Sequence, residues 1–438
     1  MTTSESKAPS SAYAWYVVGV LTLANVSSYV DRQILSLLTE PIQRDLGLSL
    51  TQMGALIGVP FAVFFTIMGL PLARLADARS RRGVIAAGIA LWSVMTMLCG
   101  VAGTYGRLVL ARVGVGVGEG ALQAPAISLI GDYFPRERRA TATGVYATGI
   151  FLGSGLAYFI GGWIVGLVSV QEQWTFPVIG SIRPWQTVFL LVGAPGLVIA
   201  ALMFTVREPE RQDHSRGTAP LSELWRWARG NFPVVSLYTA GFTASATVNF
   251  AIAMWLNRWL TVAFGWPASK AGMVQGVLTM IVGTLGVVGG GRLSDWLLKR
   301  GHADAPLRVG IIGAVGLLVS GVATFTSTSD TAAVVWLAVV NVFAALPWGA
   351  AQAGAAQLVP ARLKSQGVAL FILFLNLISF SLGPLSVGAL TDAAFGGDET
   401  RLGASLAIIT AVGLLIAIPL LLAARHRYAS RVNSTSGA

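Results

Sequence analysis

Long apolar stretches alternate with short polar connections along the whole chain. Stretches able to cross a bilayer fall at roughly 15–38, 54–75, 83–103, 107–130, 140–167, 185–206, 233–263, 269–296, 307–326, 332–358, 365–392 and 402–424. A spanning helix needs about 20 residues, and several stretches exceed that, so tilt or extension beyond the bilayer is expected. Inside lipid each backbone N–H and C=O must be bonded within its own segment, so the stretches are predicted helices. The pattern predicts an all-α integral membrane protein with about twelve transmembrane helices, both termini on one side.

Composition agrees. Of 438 residues, 54% are hydrophobic and 11% charged, with mean hydropathy +0.69; a soluble domain carries about 25% charge. The net charge of +11 does not form one patch, so nucleic acid is not an expected partner. The basic residues recur in alternate connections instead. One set holds Arg79, Arg81 and Arg82, then Arg136, Arg138 and Arg139, then Arg207 to Arg229, then Lys299, Arg300 and Arg308, then Arg362 and Lys364. The other set holds Arg44, Arg107, Arg183, Lys270 and Arg401, diluted by acids. The positive-inside rule therefore places the first set and both termini in the cytoplasm of a cell-membrane protein. Cys99 stands alone, so no intrachain disulfide forms. The three histidines lie in connections with no metal-like spacing, and no metal or other cofactor is expected.

The longest basic connection, 207–232, divides the chain into an N-terminal half (1–206) and a C-terminal half (233–438) of six spans each. Leu221, Leu224, Trp225 and Ala228 recur in it at helical spacing. Two readings stand: an amphipathic helix on the inner membrane face, or a linker with one helical turn. The halves repeat one another. "ARLADARSRRG" (73–83) follows the second span and "GRLSDWLLKRG" (291–301) the eighth, so Asp77 with Arg81 and Arg82 matches Asp295 with Lys299 and Arg300. Such repeats suggest a transporter whose halves rock around a central cavity.

These loops resemble the most recognisable motif of the major facilitator superfamily, with Ala73, Ala78 and Ser80 departing from its usual residues. Within that superfamily the chain resembles the spinster family of lipid transporters. "SYVDRQIL" (28–35) is similar to that family's first-helix signature and "RVGVGVGEG" (112–120) to its fourth. "GDYFPRERRATATGVY", "GSGLAYFIGGW" and "LGPLSVGALTD" are similar to further segments. A related group, proton-coupled transporters of sugar acids and other organic anions, shares the Asp-Arg pair and the fourth-helix Arg and Glu. The resemblance implies a monomeric secondary transporter that uses alternating access and proton coupling. Its expected partners are membrane lipids, protons and either a lysophospholipid- or sphingolipid-like amphiphile or a small organic anion such as a sugar acid. It also implies that Asp77, with Arg81, Arg82 and Asp295, forms a gate motif holding the halves together on the cytoplasmic side.

Charged groups inside the spans carry the chemistry. Asp31 lies roughly 24 Å along the first helix at 1.5 Å per residue, and Arg112 roughly 7–8 Å into the fourth from the opposite side. They share a level in the outer part of a core about 30 Å thick. Glu119 follows Arg112 by two turns on one face, near the midplane. Intramembrane ionisable groups mark substrate or proton pathways; the competing reading is a structural ion pair. On this basis Asp31 and Glu119 are the expected proton-coupling acids, and Arg32, Arg112 and Glu119 the expected substrate contacts. Asp31 is expected to pair with Arg112, Arg32 to point about 100° away, and Glu119 to lack a fixed partner. Gly114 with Gly118, and Gly116 with Gly120, form small-xxx-small pairs that let helices approach closely. Asn249, Asn257, Arg258, Gln275, Asn341, Gln352 and Asn376, with Phe61, Tyr146, Trp255 and Trp348, are candidates for a cavity wall or for packing.

Overall fold

The computed structural model describes residues 11–177, 180–209 and 221–436. All twelve predicted spans are helical. The first half comprises α1 (Ser11–Leu37), a short unpredicted α2 (Thr39–Leu46), α3 (Leu50–Ala78), α4 (Arg81–Cys99), α5 (Tyr105–Glu119), α6 (Gln123–Tyr133), α7 (Arg136–Val168) and α8 (Pro184–Leu202). Next come α9 (Leu221–Gly230) and α10 (Phe232–Phe264). The eighth span is α11 (Ala268–Val277), a π-helical stretch (Leu278–Gly283) and α12 (Thr284–Lys299). The chain closes with α13 (Ala305–Phe325), α14 (Asp330–Ala345), α15 (Pro347–Leu358), α16 (Lys364–Phe395) and α17 (Leu402–Ser436). Thus α5 with α6, and α14 with α15, each make one interrupted span. The loop after α7 adds an unpredicted hairpin, β1 (Trp174–Phe176) antiparallel to β2 (Gly180–Ile182).

Polar residues between the apolar stretches begin the helices. Ser49 and Gln52 form a capping box on α3, and Ser80, Thr104 and Ser329 cap α4, α5 and α14, giving the first free N–H groups an acceptor. Ten spans among the described residues are apolar enough to cross a membrane on hydropathy alone. The other two, α1 and α10, have the length but carry Asp31 and Arg32, or Asn249, Asn257 and Arg258. Outward-facing Ile67, Leu110, Val198, Leu285 and Leu415 are more than half exposed, as lipid-facing positions should be.

Helices α1–α8 and α10–α17 pack as two bundles of six spans. The face carrying Ser11 and Ser436 is called here the terminal face, and its opposite the far face. Toward the far face one hydrophobic core joins both bundles, from Ile34 and Leu56 to Trp255 and Leu406. Toward the terminal face there are two cores, one around Val17, Ile85 and Leu129, the other around Tyr238, Leu307 and Leu421. The same division appears between individual helices. A Cβ at Gly58 would overlap the Phe380 carbonyl oxygen, and one at Gly388 the Leu50 carbonyl oxygen, so α3 and α16 touch backbone to backbone there. The Asp392 carboxylate accepts from Thr51 N at 2.7 Å and Thr51 Oγ1 at 2.6 Å. At the other ends, a Cβ on Gly69, Gly144 or Gly289 would meet nothing within 4 Å. The far face is closed and the terminal face open.

Each bundle is clamped at its terminal-face end by ions of opposite order. Arg81, 2% exposed, bonds Asp132 Oδ2 at 2.5 Å and Glu208 Oε1 at 2.8 Å. In the other half an acid is central: Asp304 accepts from Arg308 Nε at 2.9 Å and Arg425 Nε at 2.6 Å. Partial burial would raise the Glu208 carboxyl, but hydrogen bonds from Arg81, the Arg82 amide and Ser80 outweigh it and hold it below its ordinary value. A depressed carboxyl stabilises the fold fully above its unfolded value, near pH 4.3, and less as pH falls through its folded value. Arg81→Gln is expected to lower thermal stability at pH 7, toward the low end of the about 3–5 kcal/mol lost when a buried pair is broken. It is also expected to flatten the acid-side fall of melting temperature between pH 5 and 3. Parallel melting curves for the two proteins across that range would refute the clamp.

Candidate functional site

The site is built where α1 meets the broken fourth span. After Glu119 the α-helical pattern stops: Ala121 N bonds Gly118 O and Leu122 N bonds Glu119 O, both one residue short of the α register. Two glycine faces seal the position from either side. A Cβ at Gly116 would lie 2.7 Å from the Phe61 carbonyl oxygen on α3. One at Gly118 would lie 2.7 Å from the Gly88 carbonyl oxygen on α4. The Gly116/Gly120 pair thus serves α3, and the Gly114/Gly118 pair α4, where it meets Met95, Gly88 and Trp92.

The charge pairing differs from the expected one. Glu119, 1% exposed, is held by Arg32: Arg32 Nε bonds Glu119 Oε2 at 2.5 Å, and Ser28 Oγ donates to the same oxygen at 2.6 Å. Ser28 and Arg32 are four residues apart, hence on one face of α1. That spacing was the available signal, and Arg32's long stem removes the constraint of its Cβ direction. Arg112 does not bond the Asp31 carboxylate. Its Nη1 donates to the Asp31 main-chain oxygen at 3.1 Å. Thr96 and Trp92 stand beside the Asp31 carboxylate, but neither of its oxygens has a hydrogen-bond partner among the described residues. Glu119 Oε1 likewise has none. Both arginines share an aromatic wall. The Arg32 guanidinium lies 4.8 Å from the Phe61 ring centroid and 4.9 Å from those of Tyr29 and Phe65, and that of Arg112 lies 5.7 Å from Phe61. Such contacts hold a cation in a weakly hydrated place.

A cavity of about 390 Å³ opens between the halves beside these groups. Its first-half wall includes Arg32, Arg112, Asn25, Tyr29, Gln123 and Tyr146. Its second-half wall holds amides (Asn249, Gln275, Asn341, Gln352, Asn376) among Phe250, Leu337, Val340, Trp348 and Ile372. Among the described residues the two arginines are its only charged lining groups; Asp31 and Glu119 stand behind them. A network closes the roof: Tyr158 Oη reaches Gln33 Oε1 at 2.9 Å and Ala253 O at 3.0 Å, and Asn257 Nδ2 donates to Ser36 Oγ at 3.3 Å. Of the polar and aromatic candidates, Asn257, Arg258 and Trp255 are not in the wall; Trp255 Nε1 instead donates to Pro384 O at 2.8 Å. The gate-motif residues lie elsewhere. Asp77 and Asp295 are exposed at the ends of α3 and α12, and the Arg81 side chain and the Arg82 main-chain N–H bind Glu208 at the start of the connection that follows their half.

Comparison with known proteins identifies the family and the fold. The profile of the Major Facilitator Superfamily matches residues 21–384. The chain is 30% identical over 420 residues to an MFS-type efflux pump of Mycolicibacterium smegmatis, covering 94% of each. It is 28% identical over 423 residues to the hexuronate transporter of Bacillus subtilis, covering 92% of this chain and 96% of that one. A solved bacterial homologue of the human lysosomal transporter spinster, inward-facing and unoccupied, superposes with TM-score 0.82 and 27% identity, covering 98% of this chain and 99% of that one.

The glycine seal makes a prediction. Gly118→Ala forces α4 away from Glu119, and overpacking of this kind costs about 1–3 kcal/mol. Gly131→Ala, where a Cβ meets nothing within 4 Å, should be neutral or stabilising by about 0.5–1 kcal/mol. Melting temperatures of the two variants in detergent decide it; equal shifts would mean the close approach at Gly118 carries no weight.

Proposed function

Because the chain belongs to the major facilitator superfamily and is a multi-pass membrane transporter, we propose that it carries an anionic amphiphile of lysophospholipid or sphingolipid type together with protons. The alternation of lysine and arginine between connections supports a cytoplasmic terminal face, which makes the open cavity an inward-facing one.

One observation carries the substrate reading: among the described residues Arg32 and Arg112 are the only charged groups in the wall, and they sit on one side of it. A substrate anion belongs against that side. The opposite wall, with Phe250, Leu337, Val340, Trp348 and Ile372, suits an apolar tail. The coupling follows from the ion pair. While Glu119 is ionised it occupies Arg32. A proton placed on Glu119 cancels the attraction, and Arg32 then needs another anion, because a buried unpaired guanidinium is costly. Proton and substrate anion are thus favoured together. Asp31 provides a second buried acid at the level of Arg112, and Arg112, anchored on the Asp31 main chain, keeps its Nε without a partner among the described residues. The second reading, a sugar acid, is favoured by the five amides of the second-half wall, which suit hydroxyl groups, and by the likeness to the hexuronate transporter.

Uptake into proteoliposomes under an imposed pH gradient is the test, with a sphingoid phosphate, a lysophospholipid and a hexuronate as probes. Accumulation of a lipid probe that collapses with the gradient is expected. Accumulation of the hexuronate alone would establish the second reading, and uptake indifferent to the gradient would exclude proton coupling. Glu119→Gln, which keeps the shape of the side chain, is expected to abolish uphill accumulation while downhill exchange continues. Uphill transport at the unmodified rate in that variant would remove Glu119 from the coupling mechanism.

A further inference from the structure

At the far face Arg258 of α10 lies between two carboxylates. Its Nη1 bonds Glu40 Oε2 at 2.5 Å, and its Nη2 pairs with Glu399. The two acids belong to different halves. Glu40 is on α2, in the first connection of the first half. Glu399 opens the turn before α17, in the same half as Arg258. The Arg258–Glu399 pair therefore travels as one body, whereas the Arg258–Glu40 bond crosses the closed interface. Its neighbours across that interface are Asn257–Ser36, one residue earlier on α10, and Thr51–Asp392.

We infer that Arg258, Glu40 and Glu399 form a far-face latch in which Glu40 is the releasable partner and Glu399 the keeper. Opening the far face must break Arg258–Glu40. The Arg258 side chain is 12% exposed; if Glu40 were its only partner, opening would strand a poorly hydrated guanidinium. Glu399 prevents this, since a guanidinium offers five donors in a planar fork and serves two carboxylates at once. Glu40, 46% exposed, regains water when it leaves. The interface bond broken in each cycle is thus the wet side of the triad, and the dry side stays paired.

The two acids then have opposite effects on the conformational equilibrium. Removing Glu40 weakens only the closed state. Removing Glu399 makes Arg258 depend on Glu40 and penalises the open one. The inference rests on the rocking of two halves and not on the substrate. The measurement is the distance distribution between spin labels at Arg44→Cys on α2 and Lys270→Cys at the far-face start of α11, with Cys99 replaced by serine. Glu40→Gln and Arg258→Gln are expected to raise the far-open population roughly 1.4- to five-fold, the range of an ion pair of about 0.2–1 kcal/mol. Glu399→Gln is expected to lower it. An unchanged distribution in Glu40→Gln would overturn the latch. A rise in Glu399→Gln would overturn the keeper, leaving an ordinary ion cluster. In Arg258→Gln, adding Glu40→Gln should change nothing further; an additive shift would place Glu40's effect outside the triad. Elution as the unmodified species in size-exclusion chromatography separates these outcomes from misfolding.

Discussion

Glu119 sets the terms for the middle of this molecule. A carboxylate shut between helices at membrane depth must have a counter-charge and a donor, or it costs several kcal/mol. Arg32 supplies the charge and Ser28 the donor, both from α1. The glycines of α5 bring α3 and α4 against the same position, so water is kept from one side of the pair. The cavity wets the other side through Arg32. An apolar pair would hold these helices together as well or better. On the proposed function, what the ion pair adds is a dependence on charge: a proton on one side, or an anion on the other, would change who holds Arg32.

The interface between the halves is suited to being opened and remade. Lipid tails are as apolar as the helix surfaces, so no hydrophobic drive holds the bundles together within the membrane; packing and hydrogen bonds do. At the far face that packing is backbone against backbone, at Gly58 and Gly388. The polar bonds there, Thr51 to Asp392 and Arg258 to Glu40, sit near water that can replace them. The terminal face has already exchanged such contacts for two separate cores. Rocking then requires each half to stay rigid, which is the role the geometry gives to the clamps centred on Arg81 and Asp304. Each sits at the terminal-face end of its own half, one centred on a base and the other on an acid. Either order satisfies Coulomb's law.

Each span was legible in the amino-acid order because the free energy of placing a side chain in lipid is nearly additive along a helix. Even α1 and α10, too polar to qualify on hydropathy alone, were legible as spans, since they fit the alternation of apolar runs and basic connections. The breaks were not. The π-helical stretch of the eighth span, and the turn after Glu119, answer to neighbours packed against them rather than to local propensity. Nor did local order announce α2 or the hairpin after α7, which are too short for periodicity to register.

Of the site, the sequence by itself determined that Asp31, Arg112 and Glu119 stand inside the bundle and that Asp31 and Arg112 are level, because level follows from rise per residue. It also determined that paired glycines would bring helices together. Only the tertiary structure decided the partners. Asp31 and Arg112 share a level, yet Arg112 reaches the main chain of Asp31 and leaves its carboxylate. Arg32, directed away by its Cβ, turns back along its stem to Glu119. The same holds for Arg258, a candidate for the cavity wall or for packing, whose two partners come from opposite halves. Depth is a property of one helix, but pairing depends on the rotation and offset of two and on the reach of long side chains, and those are fixed only when the helices pack.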